Sequence, residues 1–213
     1  ILIGIITWMI YVIFSYPEYN KAFNFILPGL SITFLSTIIS FVIALFLGLI
    51  SGIGRISDNK IAGTISRTYI EFIRGVPVLI LIFTIAFVVV VRGAEFFNIN
   101  NGNVPMLVRA IIALSVFYGA YIAEVFRAGI ESVNVGQREG GASLGLTDRQ
   151  VMRFIVLPQA FRNMLPALGN VFISMMKDSS LLSVLAVEDL TYRGRLYSGS
   201  TSVSYTHLRA HET

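Results

Sequence analysis

Residues 25–50 read FILPGLSITFLSTIISFVIALFLGLI, inside a charge-free run that opens after Lys21 and closes at Arg55. A helix needs about 20 apolar residues to cross roughly 30 Å of hydrocarbon, so this stretch is long enough to span a bilayer. The whole chain agrees with it. Its 213 residues are 55% hydrophobic and only 13% charged, against about a quarter charged in ordinary globular proteins, and the mean hydropathy is +0.76. That composition does not describe a water-soluble enzyme, a disordered chain or a fibrous repeat. The absence of Cys removes a disulfide-stapled module. The bilayer is the expected solvent, and the expected fold class is all-α, a polytopic helical membrane protein.

Four more apolar segments accompany the first. Ile1 to Phe14 has no initiator Met and no basic leader region, and it reads as the remaining half of a spanning helix rather than a signal peptide. Tyr69 to Val91 makes a further span, with Glu71 and Arg74 near one end and Pro77 expected to kink or interrupt it. Met106 to Phe126 is the next, with Arg109 near one mouth and Glu124 near the other. The fifth resumes after Phe161 and runs past Lys177 and Asp178 to Val187. Lys and Arg exceed Asp and Glu by 16 to 12, and the basic residues gather in two loops, 51–67 (Arg55, Lys60, Arg67) and 127–161. By the positive-inside rule both face the cytoplasm. The expected organisation is a partial N-terminal helix and outer loop over 1–24 and one transmembrane domain over 25–199. A tail over 200–213, expected to be non-native, carries His207 and His211. Two histidines four apart could share a metal on a helix, but with no Cys and a single nearby Glu212 no metal site is assigned.

The polar stretch 127–161 carries capping signals. Asn134 can cap a short helix with Gln137 at its third position, and Gly145 suits the left-handed residue that ends it. Thr147 can cap a second helix, with Asp148 in its first turn and Gln150 completing a capping box, until Pro158 stops the ladder. The loop is therefore expected to be folded, a docking surface more than a connection. Gly140 and Gly141 inside the first helix each cost about 1 kcal/mol relative to Ala. Either a partner's backbone approaches there, or the helix is a solvated one that has drifted.

Glu139-Gly140-Gly141, three residues, Gly145, nine residues and then Ile155-Val156-Leu157-Pro158 resembles the signature loop of ABC importer permeases, E-A-A, x3, G, x9, I, x, L-P. Both alanines are glycine here. Glu71-Phe72-Ile73-Arg74-Gly75-Val76-Pro77, the Tyr121–Ile130 segment, Leu157-Pro158-Gln159-Ala160, Leu165–Asn170 and Lys177-Asp178-Ser179-Ser180-Leu181 are similar to permeases for polar amino acids, although Leu81 stands where many of these carry Gln. The resemblance covers roughly residues 25–195. It implies a MetI-like fold of which about five spans are present and the last family helix is missing. It also implies a coupling helix, formed by Gln137, Glu139, Gly140, Gly141, Ala142, Leu144, Gly145 and Leu146, seated on an ABC ATPase subunit. The implied partners are the ATPase subunits, a second permease subunit as homodimer or heterodimer, an extracytoplasmic solute-binding protein, a small polar amino acid and the lipid of the inner membrane. Nucleic acid is not among them. ATP and Mg would sit on the partner ATPase, because this chain has no G-x4-G-K-[ST] loop.

Ionisable residues at membrane depth cost on the order of 3 kcal/mol, so they need a partner, a cavity or water. Translocation-path candidates are Arg74, Gly75, Pro77, Tyr118, Lys177, Asp178 and Ser179. Each has a structural alternative: a snorkelling Arg beside a kink, aromatic packing, or an ion pair with another helix. Glu124 and Arg127 can pair on one helix face. No catalytic residue is assigned. An ion-coupled carrier or a non-transporting membrane scaffold remains as an alternative function.

Overall fold

The computed structural model describes residues 2–210. Among them every regular element is helical: α1 (Leu2–Ser15), α2 (Pro17–Ile56), α3 (Lys60–Gly75), α4 (Val78–Thr84), α5 (Val90–Phe96), α6 (Met106–Glu131), α7 (Val135–Ser143), α8 (Asp148–Val151), α9 (Leu157–Asp178) and α10 (Leu190–Ala210). A π turn, Ile85–Val89, joins α4 to α5, and another, Met152–Val156, joins α8 to α9. Three helices among the described residues are long and apolar enough to cross a membrane: Pro17–Ile56, Val78–Phe96 and Met106–Glu131. A pair bent by 50°, Asp148–Leu185 with Leu190–Thr201, counts as a fourth if taken as one broken span. Of the segment expected to be a tail, the backbone of α10 continues to Ala210, whereas His211 and the side chain of His207 lie outside the described residues.

The break expected at Pro77 is present, while the single span drawn across it and the stop expected at Pro158 are corrected. The span expected over Tyr69–Val91 is two elements: α3 ends at Gly75, and the crossing helix starts after Pro77. Val76 is extended (φ −105°, ψ 138°), as a residue before proline prefers, and Pro77 precedes the first turn of α4, where its missing N–H is not required. Glu71 and Arg74 thus sit outside the crossing helix. Pro158, by contrast, does not stop its helix. It falls in the first turn of α9, and the π turn just before it absorbs the altered hydrogen-bond pattern. Pro28 and Pro166 likewise lie inside α2 and α9.

The chain divides into two compact units, one made of residues up to Ser36 together with those from Asp178 onward, the other of Thr37–Lys177. In the larger unit α6 is the central helix. Ala110, Ala113, Leu114, Ala120, Ile122 and Ala123 are all buried, the all-round burial expected of a helix enclosed by others. Small residues bring α2 against it: a Cβ on Gly48 would lie 2.5 Å from Ile122 Cγ2, and one on Gly52 would lie 3.1 Å from the Ala123 carbonyl oxygen. Buried hydroxyls bridge the same pair. Ser115 Oγ donates to the Ile111 carbonyl (2.6 Å), and Ser40 Oγ donates to the same oxygen at 3.3 Å. Without a hydrophobic drive between helices in lipid, close backbone approach and such hydrogen bonds supply the association. Arg109 donates to the Asn101 and Val104 carbonyls at 2.7 and 3.1 Å, pinning the loop before α6.

In the smaller unit the α-helix gives way at Asp178 to a 3-10 turn, Ser179–Leu185, closed by Ala186 in the left-handed region (φ 56°). Asp189 is buried and caps α10, its Oδ1 accepting from Tyr192 N at 2.7 Å. Gly29 allows α2 to meet this corner: a Cβ there would lie 2.8 Å from the backbone of Asp189 and Leu190. Leu190 N donates to Thr33 Oγ1 (3.1 Å), and Arg193 donates to the Phe25 carbonyl (3.3 Å).

Candidate functional site: a folded polar loop and a charged cavity

The loop between α6 and α9 is built by the residues the capping signals named. Asn134 accepts from Gly136 N at 2.8 Å and starts α7. The helix closes through Leu146 N to Gly141 O (3.3 Å) and Gly145 N to Ala142 O (2.9 Å), with Gly145 at φ +80°, the paired bonds of a Schellman end. Gln150 Oε1 accepts from both the N–H and the hydroxyl of Thr147, each at 2.9 Å. The two glycines differ. Gly141 is buried under its own chain, where a Cβ would lie 2.6 Å from Ile155 Cδ1 and 3.0 Å from Val151 Cγ2. Gly140 has nothing within 4 Å. Internal packing therefore accounts for Gly141, and only Gly140 leaves room for an outside partner. Glu139 and Ala142 are exposed, Leu146 is half-buried, and Leu144 is 82% exposed. Gln137 accepts from Gln159 Nε2 at 3.3 Å, and Arg138 ties α7 to the end of α6 by donating to the Ile130 carbonyl at 2.7 Å.

The second feature is a cavity of about 420 Å³ beside the C-terminal half of α6. Arg74, Tyr121, Glu124, Ser132, Asn163 and Met164 are in its wall. Gly129 makes room for Met164, and Asn163 Nδ2 donates to Ser132 Oγ at 2.9 Å. Glu124 is the electrostatic centre. Its Oε1 accepts from Arg127 Nε (3.0 Å) and Nη2 (2.5 Å), and Arg127 also pairs with Glu131. The pairing expected for Glu124 and Arg127 is present. Sequence spacing did not reveal that Arg55 and Arg74, from α2 and α3, reach the same carboxylate at 3.6 and 4.0 Å. The Arg74 guanidinium also lies over the Tyr121 ring, 5.4 Å from its centroid.

Of the path candidates, only Arg74 lines this cavity. Gly75 and Pro77 form the adjoining helix break. Tyr118 is 4% exposed and packs on Phe117 and Tyr121. Lys177 is exposed, Asp178 is half-buried and Ser179 is buried where the helix changes winding.

Several apolar helices long enough to cross a membrane, with an ordered polar segment following one of them, mark a multi-pass membrane protein. Comparison with known proteins narrows the class. The chain belongs to the family of binding-protein-dependent transport system inner membrane components, which residues 44–206 match; it is a permease of the ABC importer type. It is 38% identical to the probable amino-acid permease protein YxeN of Bacillus subtilis (strain 168), covering 88% of this chain and 82% of that one. It is 36% identical to the probable glutamine ABC transporter permease protein GlnM of the same organism, covering 86% and 81%. Its backbone is similar to that in a crystal structure of an amino acid ABC transporter with histidines, at TM-score 0.75 and 36% identity, covering 87% and 82% of the two chains.

Proposed function

We propose that the chain is one transmembrane subunit of an ATP-driven importer of a polar amino acid. A second permease subunit, two ATPase subunits holding ATP and Mg, and an extracytoplasmic solute-binding protein complete the assembly, and loops 51–67 and 127–161 face the cytoplasm. The observation that carries the reading is α7: a short helix with an exposed Glu139 and Gly140 and an exposed Leu144 at its C-cap, fixed to α6 through Arg138 and to the π turn through Gly141. A helix gripped at its exposed face and fastened at its buried one transmits a push into the bundle. Movement of the ATPases would then shift the population of inward- and outward-open states. The amino acid class is supported by the names of the relatives, which are amino-acid and glutamine permeases.

The test is co-purification of the tagged chain with its ATPase, followed by uptake of a panel of labelled amino acids into proteoliposomes. ATP-dependent uptake of one polar amino acid is expected. Uptake that survives ATP depletion and follows an ion gradient would overturn the reading, as would Gly145→Arg leaving both assembly and uptake intact.

A further inference from the structure

The two oxygens of Glu124 are used differently. Oε1 is held by the hydrogen bonds of Arg127. Oε2 is buried and accepts no hydrogen bond, although Arg55 and Arg74 face it at 3.6 and 4.0 Å. A carboxylate oxygen in that position attracts a guanidinium without fixing it, since charge attraction persists beyond hydrogen-bond reach. Arg127 is committed twice, to Glu124 and Glu131. Arg74 is not: its side chain is 43% exposed, it rests on Tyr121, and one residue later α3 ends in the extended break before Pro77. Arg74, Tyr121 and Glu124 occupy one wall of the cavity.

We propose that Glu124 is a positioning residue that holds Arg74 as a cationic bar along the cavity, and that the break at Val76–Pro77 lets the bar swing clear when the carrier changes state. A merely structural pair would be closed by hydrogen bonds, as Glu124 and Arg127 are. The Arg74 contact is loose, at a helix end and beside a backbone joint. A partly exposed pair shifts an equilibrium by up to roughly fivefold, enough to bias a gate and too little to lock it. The guanidinium suits the role because its flat face can slide on the Tyr121 ring while its edge stays toward the carboxylate.

This role presupposes the importer reading, and the experiment separates the two. The chain has no Cys, so Ser132→Cys places its sole thiol in the cavity wall. In the complete reconstituted complex, the rate of labelling by a charged maleimide is measured alongside uptake and ATP hydrolysis. Glu124→Gln and Arg74→Gln are each expected to speed labelling roughly fivefold and to lower uptake per ATP hydrolysed. Glu124→Asp is expected to recover most of both. Arg74→Gln leaves the Glu124–Arg127 hydrogen bonds in place, so a folding defect in the Glu124 variant does not shield the idea. Unchanged labelling in Arg74→Gln, or uptake and ATP turnover falling in proportion, overturns the gate. If the parent complex with Glu124 and Arg74 intact shows no ATP-dependent uptake, the importer reading fails, and the gate built on it fails too.

Discussion

The hydroxyl of Tyr69 donates a 2.6 Å hydrogen bond to the backbone carbonyl of Val116, joining α3 to the middle of α6. The carbonyl already belongs to a helix, so the contact uses its second lone pair. Gly119 makes it possible: a Cβ there would lie 2.8 Å from Tyr69 Oη and 3.0 Å from Leu47 Cβ. Tyr69→Phe removes the bond and is expected to destabilise the chain by about 1 kcal/mol, seen as a lowered unfolding temperature in detergent. Gly119→Ala is expected to cost more, because Leu47 blocks the other side. A neutral Gly119→Ala would contradict the packing of α2, α3 and α6.

Gly48 gives a cleaner test of helix approach. Ala there would press on Ile122 Cγ2 and come 3.0 Å from the Ala123 backbone nitrogen, and overpacking of this kind typically costs about 1–3 kcal/mol. Gly48→Ala should therefore lower thermal stability, whereas Gly93→Ala, with nothing within 4 Å, should leave it unchanged or raised.

The neighbouring pair in α7 should respond in opposite ways. Gly140→Ala meets nothing within 4 Å and is expected to stabilise the helix by up to about 1 kcal/mol, with ATPase binding preserved because the family motif carries Ala there. Gly141→Ala must displace Ile155 and is expected to need the π turn to relax. Affinity for the ATPase and unfolding temperature, measured on both variants, distinguish them. Equal behaviour would contradict the burial of Gly141.

Gly145 closes α7 at φ +80°. Gly145→Ala is expected to cost about 1 kcal/mol or more, from left-handed strain alone, because no atom lies within 4 Å of the added methyl. The loss should therefore appear as local opening, faster amide exchange over 135–146, with the rest of the chain unaffected.

Much of this could be read before any coordinates. The charge-free run foretold the core of α2, and Asn134, Gly145 and the Thr147–Gln150 pair foretold the folded loop, because caps and left-handed turns are local chemistry. What stayed hidden depends on contacts between distant segments. Nothing within a turn of Arg55 or Arg74 indicates that both converge on Glu124. The fate of the prolines also depends on register: Pro77 interrupts because the chain before it is extended, while Pro158 is carried through because a wider turn precedes it. Gly141 is an anomaly of a polar helix by sequence, and only the packing of Val151 and Ile155 against it accounts for it.

The two π turns also have a geometric consequence. Each holds one residue more than its length of helix would otherwise contain, which rotates everything downstream by about 100° around the axis. At Met152–Val156 the stripe facing α7 is thereby uncoupled from the stripe that α9 turns toward its own neighbours. One continuous rod can answer to two environments, and substitutions on either side of the turn should alter one without disturbing the other.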